Sequence, residues 1–305
     1  SEFRTPTLHS STMPPRARAA LLTAAVLWAV SFVATKVALA STPPLAVVSL
    51  RLLVSAACFL PLIALTGGAA GLGGRRGWMQ LAFLSLFGAG LHYASQTIGL
   101  QYTTASNASL YTTTGPISIL LLSALLLGER ITPRKAIGVV VALAGVLVVM
   151  GPDKLASLEL DEHSLGDLLV FASLIMWGLF TVLGKRLTDR LGALRTTAWV
   201  TVIGATWMAP VGWAEMRARG FALASIPLDA WLAIGFLGVG CSFLATLLYV
   251  SALAMTESQK VGVYLYIIPP MTAVVAALYL GETISANLLA GAVLVIAGVA
   301  LTERG

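Results

Sequence analysis

Residues 105–150 hold the pattern Tyr111…Pro116…Leu127-Gly128-Glu129-Arg130-Ile131…Gly138…Ala144-Gly145-Val146. Residues 258–303 hold it again as Tyr264…Pro269…Leu280-Gly281-Glu282-Thr283-Ile284…Gly291…Ala297-Gly298-Val299. At an offset of 153 the two stretches align without a gap, with 13 of 46 positions identical. Apolar composition alone matches leucine to leucine, but it does not bring a proline, a Gly-Glu pair and two further glycines into register. An offset of 149 also pairs Trp28 with Trp177 and Lys36 with Lys185. The chain therefore reads as two copies of one unit.

What fills each copy is set by composition. Of 305 residues, 58% are hydrophobic and 10% charged, and the mean hydropathy is +0.90. A soluble domain carries about a quarter charged residues. Apolar runs near residues 19–40, 44–65, 78–99, 105–127, 134–150, 164–184, 196–213, 230–252, 258–280 and 286–302 each approach the roughly 20 residues that cross a bilayer as a helix. The expectation is an all-α membrane protein with ten transmembrane helices arranged as two inverted five-helix repeats. An unstructured N-terminal segment covers 1–18, the first repeat 19–150, a linker 151–163 and the second repeat 164–303. Ser1-Glu2-Phe3 reads as a cloning remnant, with Met13 a native start, and the first apolar run reads as a span that is kept.

The net charge of +6 does not indicate nucleic acid, because the basic residues sit singly or in pairs between apolar runs. With the N-terminus cytoplasmic, 14 of the 19 basic residues fall on the inner side; the exceptions are Lys36, Arg51, Lys154, Arg217 and Arg219. That bias predicts both termini in the cytoplasm of a multi-pass inner-membrane protein. Five spans per copy is an odd number, so the second copy enters upside down. Inverted repeats are a recurring plan of secondary transporters, whose substrates bind near the midplane at the repeat interface.

Trp28 and Lys36, Arg51, and the run from Pro116 through Leu127-Gly128-Glu129-Arg130-Ile131-Thr132 to Gly138 and Gly145 resemble the repeat unit of the drug/metabolite transporter superfamily, in its EamA-type branch. Trp177, Lys185, Pro269, Gly281-Glu282-Thr283, Gly291 and Gly298 repeat it. Within that branch the chain most resembles bacterial YddG-type exporters of aromatic and other apolar amino acids. The resemblance implies ten helices, cytoplasmic termini and outward movement of amino acids or related metabolites.

Candidate substrate contacts follow from polar and aromatic residues inside apolar spans. Ser85, His92, Gln96 and Gly99 share one face of the third span, and a polar stripe in a membrane helix faces the bundle interior or a water-filled path. Helix-to-helix hydrogen bonding is the plainer reading of the same stripe. Tyr93 borders it. The fourth span adds Asn107, Tyr111, Thr114 and Ser118, of which only the tyrosine recurs, as Tyr264. Trp28 and Trp177 lie inside their spans rather than at the ends, and their indole faces suit an aromatic ring or an ammonium group. Tyr249 aligns with Gln96 and offers another wall. Arg51 can meet a substrate carboxylate or snorkel outward; snorkelling is the favoured reading of Lys36 and Lys185. Pro116 and Pro269 remove one backbone donor each at matching depths, which makes them candidate hinges.

Several classes are disfavoured. Every Asp and Glu lies in a loop or near a span end, Asp167 closest to the membrane, so no midplane carboxylate is expected to carry protons. Small multidrug antiporters of the same superfamily depend on a Glu in the first helix, and this first span has none. Transport is therefore expected to run down the substrate gradient, or to couple weakly through His92. There is no Walker A sequence. Cys58, Cys241, His9, His92 and His163 show no metal-ligand or disulfide spacing, and no cofactor is implied. A nucleotide-sugar exchanger would place several basic residues in the path, where only Arg51 is a candidate. A membrane-embedded enzyme would cluster His or acidic groups, and a channel would ring its pore with charge. The partners expected are a small-molecule substrate and the lipid bilayer.

Overall fold

A computed structural model describes residues 13–128, 130–150, 162–253, 255 and 264–303. The first twelve residues, Glu129, Lys154 with most of the expected linker, Lys260 with the start of the ninth apolar run, and Arg304 lie outside the described residues. No strand occurs among the described residues. The helices are α1 (Pro15–Leu39), α2 (Pro44–Leu65), α3 (Gly74–Ser85), α4 (His92–Tyr102), α5 (Ala105–Thr112), α6 (Gly115–Leu127), α7 (Pro133–Met150), α8 (Glu162–Leu191), α9 (Ala193–Ala218), α10 (Leu228–Gly235), α11 (Thr246–Leu253), α12 (Ile268–Leu280) and α13 (Ala286–Glu303). Two π-helical segments, Leu86–Leu91 and Phe236–Ala245, join α3 to α4 and α10 to α11.

Helix thus occupies each of the ten apolar runs. Among the described residues, five stretches are long and apolar enough to cross a membrane: α1, α2, α7, α8 and the continuous run Leu228–Ala252. The α5–α6 pair, bent by 41° at its break, passes the same test as one unit. Several limits differ from the sequence reading. α1 starts at Pro15 rather than 19, because a proline is tolerated in the first turn, where its missing N–H has no partner to lose. α8 already includes Glu162 and His163, which the sequence reading placed in the linker.

Matching helices of the two copies run antiparallel. Gly138 of α7 lies against Gly298 and Thr302 of α13, and Gly145 lies against Gly291 and Val295. A Cβ at Gly138 would stand 2.6 Å from the Gly298 carbonyl oxygen, and one at Gly145 would stand 2.8 Å from that of Gly291. Only glycine permits this approach, and in lipid such close packing is what holds helices together. α2 and α9 pair in the same sense: Gly212 sits on Leu45 and Ser49, and Phe59 clusters with Ala198.

The remaining pairings are exchanged when the copies are exchanged. α4 crosses α8 with Gly99 on Gly166, and α1 crosses the Phe236–Ala245 segment with Leu27 and Trp28 at Cys241. α6 meets α8 where Gly178 faces Ser118 and Leu122. At the place equivalent to Gly178, the Ala29 carbonyl accepts a hydrogen bond from Thr272 Oγ1 of α12, at 2.9 Å. The molecule therefore has a pseudo-two-fold axis between its halves. Pro61 inside α2 and Pro210 inside α9 obey it too, a match at offset 149 that the sequence reading passed over.

Candidate functional site

The two π-helical segments stand at equivalent places in the copies, each leading into the helix that carries candidate side chains. π-Turns widen a helix locally and recur at functional sites. Each is built on a Gly-x-Gly: Gly88-Ala89-Gly90 and Gly238-Val239-Gly240. Gly88 lies under the Phe180 ring and Gly238 against Val54, where a Cβ would collide at 2.7 and 2.6 Å. This repeated Gly-x-Gly was the signal available in the sequence for a feature that apolar periodicity does not report.

Just past the first π segment, His92 is buried and its Nδ1 lies 2.9 Å from the Ser173 carbonyl oxygen. A carbonyl only accepts, so Nδ1 carries the proton and neutral imidazole keeps Nε2 as an acceptor. Around it stand Tyr93 (ring centroids 4.9 Å apart) and Trp177 (5.3 Å), and Phe180 follows Trp177 at 5.2 Å. Gln96 is half-buried one turn along α4.

Arg51 completes this group from α2. It is 5% exposed, so it does not snorkel. Its Nε and Nη2 donate to Ser242 Oγ at 3.2 and 2.9 Å, and its guanidinium lies 4.3 Å from the centre of the Tyr93 ring. No carboxylate forms an ion pair with it among the described residues. Ser242, on the second π segment, was not singled out from sequence, because a lone serine in an apolar run carries no pattern. A buried guanidinium held by one hydroxyl and one ring face retains donor capacity for an anionic ligand group.

The other half holds Trp28, whose Nε1 donates to the Cys241 carbonyl oxygen at 3.3 Å and whose ring stands 5.2 Å from Tyr249. Tyr249 and Tyr264 each pack against the cluster formed by Met13, Ala17, Leu21 and Ala252. The structure thus brings together Arg51, His92, Tyr93 and Trp177 in one aromatic group and Trp28 with Tyr249 in another, with Tyr264 on the same small cluster as Tyr249.

Tyr111 belongs to neither. Its ring is fully buried in the core, and its hydroxyl lies near the carboxyl group of Asp167 without a hydrogen bond of ordinary geometry. Asp167 is itself 1% exposed, accepts a hydrogen bond from Thr103 Oγ1 and lies 3.8 Å from His163 Nε2. Asn107 Nδ2 approaches the same imidazole nitrogen at 3.3 Å. Tyr111 and Tyr264 share a sequence position but not an environment. Ser85 accepts from Trp207 Nε1 at 3.0 Å, and Gly99 packs on Gly166, so helix packing accounts for both ends of the polar stripe. Ser118 borders an apolar cleft of about 180 Å³ with Leu122 and Phe171, away from the charged group.

Pro116 and Pro269 do not kink continuous helices. Each stands in the first turn of a new one, α6 and α12. The chain breaks before Pro116, and Thr112, Thr113 and Thr114 donate their hydroxyls to the carbonyls of Ser109, Leu110 and Tyr111 at 2.7, 2.7 and 2.8 Å. The Leu110 and Tyr111 carbonyls also accept from the Thr113 and Thr114 amides at 3.1 and 2.9 Å, so the hydroxyls share the carbonyls of a tightened last turn. No group of three or more His, Cys, Asp or Glu side chains suited to a metal occurs among the described residues.

The model of the EamA-like transporter family matches the chain twice, over residues 17–151 and 164–304. An uncharacterized transporter of Archaeoglobus fulgidus is 30% identical over 91% of this chain and 93% of its own length. A probable terminal-alkyne amino-acid exporter of Streptantibioticus cattleyicolor is 29% identical over 93% of this chain and 92% of its own. A solved crystal structure shares the fold with a TM-score of 0.64 at 22% identity, covering 94% of this chain and 96% of that one.

Proposed function

The chain belongs to the EamA-like transporter family, and from that premise we propose that it exports amino acids with aromatic or apolar side chains, or similar small metabolites, by alternating access. The observation that carries this reading is Arg51. A buried guanidinium held by Ser242 and the Tyr93 ring can receive a substrate carboxylate, and the neighbouring His92–Trp177–Phe180 stack suits an apolar or aromatic body. The relative from Streptantibioticus, named as an amino-acid exporter, supports the same substrate class. Trp28, Tyr249 and Tyr264 form the opposite wall, and Gln96 borders the path.

Ten crossings, both termini in the cytoplasm and residence in the inner membrane complete the proposal, with repeats at 19–150 and 164–303. The antiparallel pairing of matched helices and the two family matches support it. The movement runs down the substrate gradient. Asp167, the fully buried carboxylate among the described residues, lies about 15 Å along α8 from Trp177 and is held by Thr103, beside Tyr111. Reconstitution in liposomes tests the proposal. Efflux of phenylalanine, leucine or a related amino acid from loaded vesicles, absent in protein-free vesicles and lost in Arg51→Ala, is the expected result. Failure of the whole amino-acid panel to move, with the protein folded, refutes it.

A further inference from the structure

Glu282 follows Gly281, whose left-handed backbone (φ +66°) ends α12, yet its carboxylate reaches across to the start of α5. Oε1 accepts from the Ala105 amide at 2.7 Å, and Oε2 accepts from the Ser106 amide at 3.0 Å and the Ser106 hydroxyl at 2.7 Å. Charge-assisted bonds of this kind are about twice as strong as neutral ones, and a carboxylate at a helix N-terminus also gains from the peptide dipoles. Lys36 lies within electrostatic reach of the same carboxylate.

The helix so gripped is unusual. α5 has eight residues, too few to be stable alone, and it ends at the break before Pro116. It packs on α12, α8 and α1, whereas α6 beyond the break packs mainly on α8. A short helix with a break in the helical ladder at one end and a carboxylate clasp at the other can swing as a unit.

From this we infer that Glu282 is a latch: its bonds to Ala105 and Ser106 hold the α5 end of the transport path shut, and their release lets α5 move away from α12. The inference rests on the alternating-access reading, under which this end faces the outside. Glu215 provides an internal comparison. Its Oε2 accepts from the Leu45 and Ala46 amides at 2.8 and 3.1 Å, so the chemistry is alike. But α2 and α9 are packed along their lengths, with Gly212 on Ser49, and Glu215 fastens a pair that has no joint.

The test is the reactivity of a cysteine at Ser109, which is fully buried in α5, in a chain carrying Cys58→Ser and Cys241→Ala. A membrane-impermeant maleimide is added to right-side-out and, separately, to inside-out membranes. Glu282→Gln is expected to raise the labelling rate about tenfold, Ser106→Ala to raise it less, and Glu215→Gln to leave it unchanged. An unchanged rate in Glu282→Gln, or an equal rise in Glu215→Gln, overturns the latch. If Glu282→Gln does not reach the membrane, Ser106→Ala decides, and no rise there overturns it. A rise seen only in inside-out membranes supports the latch while refuting the proposed orientation. No step of the assay depends on the substrate.

Discussion

Arg51 concentrates the chemistry of this protein in one side chain. Two of its nitrogens share the Ser242 hydroxyl and its plane lies against Tyr93. A lysine carries the charge but neither the fork nor the flat face. Arg51→Lys is therefore expected to keep the protein folded and to lower amino-acid efflux from liposomes about tenfold, with Arg51→Ala lower still. Ser242→Ala removes a positioning contact only and is expected to raise the half-saturating concentration without abolishing transport. Equal efflux in wild type and Arg51→Lys would remove the guanidinium from the substrate path. Tyr111 makes the opposite case. Because its hydroxyl is buried beside Asp167, Tyr111→Phe is expected to change thermal stability by about 1–3 kcal/mol and to leave substrate preference intact. Tyr264→Phe is expected to do the reverse, since Tyr264 lies on the same small cluster as Tyr249. Thermal unfolding in detergent beside a competition assay separates the two. From sequence, the conserved spacing of Tyr111 and Tyr264 suggested one shared role. Repetition fixes where a residue falls in its helix, but the neighbours that decide its role come from other helices, which have diverged.

At the scale of the element, breaks and crossings carry the argument. The sequence marked Pro116 and Pro269 as irregularities, and they are. What it could not mark is that the backbone tightens to i→i+3 bonds at Thr113 and Thr114, so that the first helix of the pair is a separate short one rather than part of a bent long one. Pro116→Ala restores an amide donor and lets the chain pass helically through the break. It is expected to slow transport severalfold while raising the melting temperature, read by efflux kinetics and thermal unfolding together; a faster exporter would deny the break any part in movement. The π segments were legible only in hindsight, as the Gly-x-Gly that recurs in both copies. Helical periodicity is too coarse to report one widened turn. The helix crossings were partly legible. Gly138, Gly145, Gly291 and Gly298 stood out as a repeated set, and they form the α7–α13 contact. A single methyl group at Gly145 meets the Gly291 carbonyl and Val295. Gly145→Ala is thus expected to cost about 1–3 kcal/mol of stability, measured as a lowered unfolding midpoint, with substrate affinity unchanged because neither helix contributes a side chain to the aromatic groups.

For the whole molecule, the decisive property is that each pairing between the copies has its counterpart on exchange. The duplication was readable because a gapless offset repeats prolines and glycines in register, and the expected odd number of spans per copy pointed to the inversion, in keeping with the antiparallel pairing of matched helices. The location of the charged group was not readable, because it depends on α2, α4, α8 and the second π segment meeting in space. The two halves of that group have since become unlike: Arg51 and His92 stand on one side and Trp28, Tyr249 and Tyr264 on the other. Under the proposed alternating access, an inverted duplicate that kept its joints in both copies but its charge in one would open to either face while holding a single substrate between unequal walls. Energy coupling then depends on whether a proton site lies between those walls. Asp167 does not, since Thr103 and Tyr111 enclose it near the start of α8. Efflux from liposomes loaded with amino acid is therefore expected to proceed at the same rate with or without a pH difference across the membrane, and Asp167→Asn is expected to change stability without creating or removing a pH dependence. Efflux that stops when the pH difference is collapsed, and that loses this requirement in Asp167→Asn, would instead make the carboxylate a proton carrier and place the coupling at the end of α8 rather than between the aromatic walls.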